Sequence, residues 1–172
     1  GGAIPQRISL RAYAEVGGAY VPVAATEVTL GTVTRLDHSL ELCRALSRDI
    51  RMIEVEYHGQ AFEFIDDLEF GVYAPGTVTR VTFDDLARDT VVTDQYDGVL
   101  FDETPRSYIF TAADLATPVD TPANALGHGS GEADAGPLRF RLTPAQGAVR
   151  LRTGYPPREN TGRPLTVVLR AF

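Results

Sequence analysis

Apolar and polar residues alternate strictly along several segments of this chain. Near its amino end, Ile8, Leu10, Ala12 and Ala14 occupy every second position, and most of the residues between them are polar. A period of two places successive side chains on opposite faces of a β-strand, so this segment predicts a strand with one buried face. No regular alternation of strand and helix patterns follows, which argues against a parallel α/β sheet.

The same period, or a run rich in Thr and Val, predicts about eight to ten short strands separated by turns. They are drawn from a larger set of thirteen candidate segments: 7–15, 20–23 with 26–30, 32–35, 53–58, 62–64, 68–72, 77–83, 90–93, 98–101, 106–111, 138–142, 149–152 and 165–172. Spacing of this kind is typical of an antiparallel sandwich or barrel. The fold class predicted for residues 1–172 is therefore mainly β, a single antiparallel β-barrel or β-sandwich domain.

Two segments depart from this pattern. Over 37–48, Leu40, Cys43 and Leu46 recur at a spacing of three after a potential cap, which predicts one short helix with Cys43 as a buried small hydrophobe. Leu42 interrupts that helical stripe. The Ala-, Gly-, Pro- and Asp-rich stretch at 112–137 shows little periodicity and predicts a long loop, either functional or mobile.

All sixteen basic residues are arginine, and the chain contains no lysine. It therefore lacks the residue that forms Schiff bases and the lysine of a Walker-type nucleotide site. Either adaptation of the surface to heat or the codon usage of a GC-rich genome accounts for the absence. Basic residues form no arm and are not interleaved with aromatic residues, so we expect no direct nucleic-acid partner.

The net charge of −7 divides unevenly along the chain. Residues 138–172 carry a balance of +6, residues 1–137 carry −13, and 49–103 hold 14 acids with only three arginines. If the strands at 138–142 and 149–152 form a hairpin, four arginines share one sheet face. These four are Arg139, Arg141, Arg150 and Arg152. They either pair with the acidic middle of the same chain or form a contact between subunits, where arginine is enriched.

Catalytic and metal-binding motifs are largely missing. The histidines His38, His58 and His128 are not spaced as metal-ligand pairs, and we predict no cofactor and no metal. Ser130 stands one position away from the serine of a nucleophile elbow, and no predicted strand precedes it. A flexible loop tip is the simpler interpretation of the glycines around it.

The acidic residues allow two further hypotheses. A calcium site lacks the required spacing, although four acids cluster at Asp94, Asp97, Asp102 and Glu103. A glycoside hydrolase needs only two carboxyl groups about 5–9 Å apart. Candidate pairs are Asp66 with Asp67, Asp84 with Asp85, and Glu54 with Glu56. A solvated acidic surface is the alternative interpretation, and we expect that the protein is not an enzyme.

This lysine-free, acidic, β-rich chain opens with Ile4-Pro5-Gln6-Arg7-Ile8-Ser9-Leu10 and closes with Pro164-Leu165-Thr166-Val167-Val168-Leu169-Arg170. It resembles the smaller major capsid protein of tailless, membrane-containing icosahedral phages of the sphaerolipovirus type, which infect thermophilic bacteria and have halophilic archaeal relatives. The resemblance extends over the whole chain in size and strand pattern.

The resemblance implies an upright eight-stranded jelly roll without catalytic residues. It also implies a virion location after synthesis in the host cytoplasm, self-association as a homodimer or larger assembly, a second and larger capsid protein as partner, and an internal viral membrane. The leading hypothesis is therefore a capsid subunit. A carbohydrate- or ligand-binding β-sandwich module and a carboxylate-based hydrolase are the alternatives.

Overall fold

The computed structural model describes residues 6–30, 38–44, 46–58, 64–71, 78–102, 107–111, 124–128 and 136–153. Twelve strands lie within these ranges, and every pairing among them is antiparallel. They are β1 (Gln6–Val16), β2 (Ala19–Leu30), β3 (His38–Cys43), β4 (Ile50–His58), β5 (Phe64–Gly71), β6 (Val78–Val81), β7 (Val91–Val92), β8 (Val99–Phe101), β9 (Ser107–Thr111), β10 (Asn124–His128), β11 (Leu138–Gln146) and β12 (Ala148–Thr153).

The strands form two sheets. Sheet A has the order β2-β1-β4-β11-β8, and sheet B has the order β3-β12-β5-β10-β9-β7, with β6 paired to the second half of β5. One apolar core unites the inward residues of both sheets, including Ile53 and Phe140 from sheet A and Leu68 and Leu151 from sheet B. The described residues thus form a mainly β, antiparallel, sandwich-like fold, as predicted. Among the described strands, the two sheets do not close into a barrel, so that part of the prediction is wrong.

The first hairpin follows the sequence pattern closely. Ile8, Leu10 and Ala12 are fully buried, and the chain reverses at Gly17 and Gly18, whose φ angles of 60° and 83° suit glycine and a tight hairpin turn. The register of β1 against β2 shifts between Ala12 and Tyr13, where Tyr13 pairs with Pro22 of β2. A bulge of this kind increases the local twist of a hairpin.

Residues 38–43 form a strand, which contradicts the predicted helix. Leu40 and Leu42 are buried while Ser39 and Glu41 are exposed, so the true period here is two. Cys43 consequently faces outward and is exposed, where we expected it to be buried. Six ladder pairs with β12 stabilise this strand, an interaction that spacing along the chain does not reveal.

Strands β11 and β12 follow one another directly but belong to different sheets. β11 pairs with β4 and β8 in sheet A, whereas β12 pairs with β3 and β5 in sheet B. The predicted hairpin is therefore wrong, although both alternation patterns are confirmed. The reason is that Gly147 marks a crossing between the layers: its N–H donates to the carbonyl of Gly71 in sheet B at 3.1 Å.

Several predictions fall outside the described residues. The strands expected at 32–35 and 165–172 and most of the loop expected at 112–137 are among them. Within that predicted loop, residues 124–128 form strand β10, which pairs with β5 and β9. This part of the stretch is therefore ordered sheet and not loop.

Candidate functional site

The centre of the outer face of sheet A is a buried carboxylate. Glu54, whose side chain is only 8% exposed, accepts a hydrogen bond at 2.8 Å from Nη1 of Arg11 and one at 3.0 Å from Nε of Arg139. The hydroxyl of Tyr13 donates to the same carboxylate at 3.1 Å. Arg11 also donates to Glu56 at 2.7 Å. The register places Arg11, Glu54 and Arg139 side by side on three adjacent strands.

These contacts fix the charge of the cluster. Burial by itself raises the pKa of Glu54, but hydrogen bonds from Arg11, Arg139 and Tyr13 outweigh that effect and hold the pKa below its ordinary value. The pKa of Tyr13 is raised, first by burial and then by the nearby carboxylate of Glu54. Glu54 is therefore an ionised structural anion at neutral pH, the opposite of the raised pKa that a general acid needs.

An open depression of about 530 Å³ lies beside this cluster. Aromatic side chains of the first hairpin, one methionine, and arginines paired with acids line it. The lining residues are Tyr13, Tyr20, Met52, Glu54, Asp102, Arg139 and Arg141. Its size is that of many ligand pockets, but it is shallow and open to solvent.

A second charged network covers the outer face of sheet B. Asp67, almost fully buried, accepts hydrogen bonds from Nε and Nη2 of Arg80 at 3.1 and 2.7 Å, and Nε of Arg152 lies 3.4 Å from its other oxygen. Arg150 donates to Glu69, its direct neighbour across the ladder. Asp67 has a φ of 49° where the register of β5 against β12 shifts, so a bulge aims its side chain at these cations.

Each of the four arginines predicted from the charge pattern contacts an acid of the 49–103 segment. The pairs are Arg139 with Glu54, Arg141 with Asp102 at 3.3 Å, Arg150 with Glu69, and Arg152 with Asp67. Pairing within the chain, one of the two interpretations, is therefore confirmed. The four do not share one face as expected, because β11 and β12 lie in opposite sheets and their polar side chains point away from each other.

A serine and a histidine that no sequence motif singled out also lie together. Oγ of Ser9 is 3.1 Å from Nε2 of His58, and the Glu56 carboxylate is 3.6 Å from that same nitrogen. In a nucleophilic triad the serine and the acid contact different ring nitrogens. Because both contacts here involve Nε2 and Ser9 is buried, the group positions the histidine ring and does not form a triad.

Of the other acidic candidates, Glu103 lies outside the described residues. No group of three or more His, Cys, Asp or Glu side chains within the described ranges could hold a metal ion. Asp66 is buried and accepts a hydrogen bond from the N–H of Asp67 at 2.8 Å, and Asp85 accepts one at 2.6 Å from the hydroxyl of Tyr96. Both contacts are structural, since they orient the chain around a bulge and a turn.

No sequence motif singled out Glu54 and Asp67, the two anions that organise the outer faces. Both stand within pairs of acids that were considered only for hydrolysis. The one available signal was the arginine at every second position of the two late strands, since such cations need partners on neighbouring strands. With 23 acids in the chain, the sequence does not identify which of them supply those partners.

No family model matches the chain, and no curated protein or solved structure is significantly similar to it. In the part of the chain that the structure describes, no helix has the length and apolarity needed to cross a membrane.

Proposed function

We propose that this protein is a structural virion protein: a capsid subunit that builds an icosahedral shell by self-association and pairs with a second, larger coat protein around an internal viral membrane. The observation that carries this proposal is the way in which the strands pair across the two sheets.

Eight strands pair as one folded antiparallel ribbon. β2 pairs with β1, β3 with β12, β4 with β11, and β5 with β10. The four pairs alternate between sheet A and sheet B in that order. A ribbon of eight strands wound in this way, with two interleaved Greek keys, is the plan of a jelly roll, an architecture widely used by viral coat proteins.

The ribbon has two particular features. Its first pair is a local hairpin, so β1 lies beside β2 where a simple jelly roll has the last strand of the chain. Between β5 and β10 the chain inserts β6 to β9, which extend both sheets. Neither feature alters the pairing of the eight ribbon strands, which supports a jelly-roll interpretation over an unrelated sandwich. Fold does not dictate function, and so the assembly itself has to be tested.

Two oppositely directed faces, each with paired arginines and acids, fit a subunit that contacts neighbours on both sides. Arg139 and Arg141 belong to the face of sheet A, and Arg150 and Arg152 to that of sheet B. All four side chains remain 40–45% exposed despite their partners in the chain. A guanidinium carries five N–H donors, so a side chain exposed to this extent can also meet carboxylates of a neighbour.

The first test measures molar mass by light scattering behind size exclusion, over a range of protein and salt concentrations. We expect discrete dimers or larger particles that dissociate as salt screens the charged contacts, and shells or shell fragments by electron microscopy. A monomer whose mass does not respond to salt or concentration contradicts the proposal.

Charge exchange within a pair separates the two roles of these arginines. Arg141→Glu alone places two acids together at Asp102, whereas Arg141→Asp combined with Asp102→Arg restores the pair with its polarity reversed. If the pair serves only the fold, the double variant regains both stability and assembly. A contact between subunits predicts that it regains stability and stays defective in assembly.

The same exchange on the face of sheet B uses the neighbours Arg150 and Glu69. Full assembly in both double variants refutes a role for these charges between subunits.

A further inference from the structure

The large apolar side chains that the described residues expose are not scattered over the surface. Those exposed by more than a third are Val16, Tyr20, Val21, Leu46, Val78 and Leu100. Isolated exposed apolar residues are ordinary, but a group of them in one region marks an interaction surface.

The register of the strands brings all six to one end of the sandwich, here called the apolar end. The first hairpin turns there, beyond the pairing of Tyr13 with Met52. Sheet B ends at the same level. Gly71 and Val78, the end residues of β5 and β6, pair there, and Gly71 accepts a hydrogen bond from Gly147, which joins β11 of sheet A to β12 of sheet B. Leu100, on strand β8, lies one residue pair from the end of the ladder that β8 forms with β11.

Leu46 is the most prominent of the six, since its side chain is fully exposed. It lies in the turn between β3 and β4, and that turn is held closed from both sides. Arg44 donates to the two carboxylate oxygens of Asp49 at 3.0 and 2.7 Å, and its own carbonyl accepts a hydrogen bond from the N–H of Arg48 at 2.8 Å. These contacts restrain described residues on both sides of Leu46, which lowers the conformational entropy lost when Leu46 is bound.

The apolar end also carries charges of both signs without an ion-pair partner among the described residues. Of the arginines that the structure describes, Arg48 and Arg51 alone contact no described acid, and both lie in or beside the Leu46 turn. Glu15, next to the hairpin turn, and Asp97, just before β8, are likewise without an ion-pair partner among the described residues. Cations and anions are thus both available on this one surface.

We propose that the apolar end is the surface through which two copies of this chain associate about a two-fold axis, with Leu46 as the central anchor. The inference rests on the self-association proposed above and specifies its contact. A two-fold contact is self-complementary, so one surface must supply both partners of every pair. An apolar patch that carries unpaired charges of both signs meets that requirement, whereas an anionic lipid surface calls for cations alone.

The test compares the dimer dissociation constants of variants by sedimentation equilibrium. Leu46→Asp removes no packing within the subunit and is expected to weaken association by about tenfold or more, as for an anchor residue at an interface. Glu15→Arg and Arg48→Glu, each alone, are expected to weaken it through like-charge contacts. Combined in one chain, they exchange the two charges and are expected to restore most of the affinity. Arg7→Glu, at the other end of β1, is the matched control and should leave the constant unchanged.

Each outcome is decisive. Association of the wild type that Leu46→Asp and the two charge reversals leave unchanged overturns the apolar end as the contact and leaves self-association standing. A wild type that never associates contradicts the proposed function itself. If Leu46→Asp abolishes sedimentation with vesicles of phosphatidylcholine and phosphatidylglycerol but not dimerisation, then the surface binds lipid and the two-fold contact is refuted.

Discussion

The buried carboxylate of Glu54 gives the sharpest prediction about stability. Glu54→Gln keeps the size of the side chain and removes its charge, so Arg139 loses its acidic partner while Arg11 keeps Glu56 at 2.7 Å. Breaking a fully buried ion pair costs about 3–5 kcal/mol. Because Arg11 and Arg139 are 36% and 43% exposed and can turn to water, we expect a smaller loss of about 2 kcal/mol.

The same sheet face provides a matched control. Glu27 pairs with Arg7 at 3.4 Å, and both side chains are more than 40% exposed. Glu27→Gln should therefore change the free energy of unfolding by no more than about 0.5 kcal/mol. With a urea m-value of about 2 kcal/mol/M, Glu54→Gln shifts the unfolding midpoint by about 1 M and the control by about a quarter of that or less.

The measurement is equilibrium unfolding in urea at neutral pH, followed by circular dichroism. A double-mutant cycle with Arg139→Gln should give a coupling of about 1 kcal/mol, because the two side chains contact each other directly. Equal midpoints for Glu54→Gln and Glu27→Gln would refute the reasoning that burial of the carboxylate makes this pair strong.

Three further predictions concern pH, backbone geometry and the core. The pKa of Glu54 is lower in the folded protein than its ordinary value of 4.5. The ionised side chain therefore stabilises the fold above pH 4.5, and this stabilisation disappears as the pH falls through the folded pKa. The urea midpoints of wild type and Glu54→Gln should accordingly converge in acid. Gly98→Ala should destabilise the fold by about 1–3 kcal/mol, because φ at this position is +83°. The new Cβ would also lie 3.2 Å from the carbonyl oxygen of Thr143 and 3.3 Å from the ring of Phe70. An unchanged melting temperature in thermal unfolding would contradict this. Phe101→Ala should lower the free energy of unfolding by about 3–5 kcal/mol, because Phe101 is buried and its ring centre lies 5.3 Å from that of Phe140. A decrease below about 1 kcal/mol in chemical unfolding would show that the core is not packed as described.

The interior faces of the strands follow from the sequence by itself. Ile8 and Leu10 in the first strand, and Leu138 and Phe140 in the eleventh, are buried as their alternation predicts. A period of two is a local property of extended chain, since side chains of successive residues leave opposite faces whatever the strand pairs with. Fold class and the inward faces of these strands could therefore be predicted from the sequence.

The sequence pattern predicted the wrong secondary structure at 38–43, where a helical and a strand period overlap. Leu40, Cys43 and Leu46 fit a helical spacing, while Leu40 and Leu42 fit a strand. Pairing with β12 decided in favour of the strand and left Cys43 and Leu46 exposed. Tertiary contacts override a weak helical signal because ladder hydrogen bonds and burial on a sheet contribute more than intrinsic propensity.

Tertiary structure alone decided which strands are neighbours. Nothing in the alternation of 138–153 distinguishes a hairpin from two strands that lie in different sheets. The placement of β11 and β12 in different sheets separates Arg139 and Arg141 from Arg150 and Arg152. It also selected Glu54 and Asp67 from 23 acids and brought six exposed apolar side chains to one end. The physical reason is that side-chain direction is set within a strand, whereas partners are set by long-range pairing of residues distant in the chain.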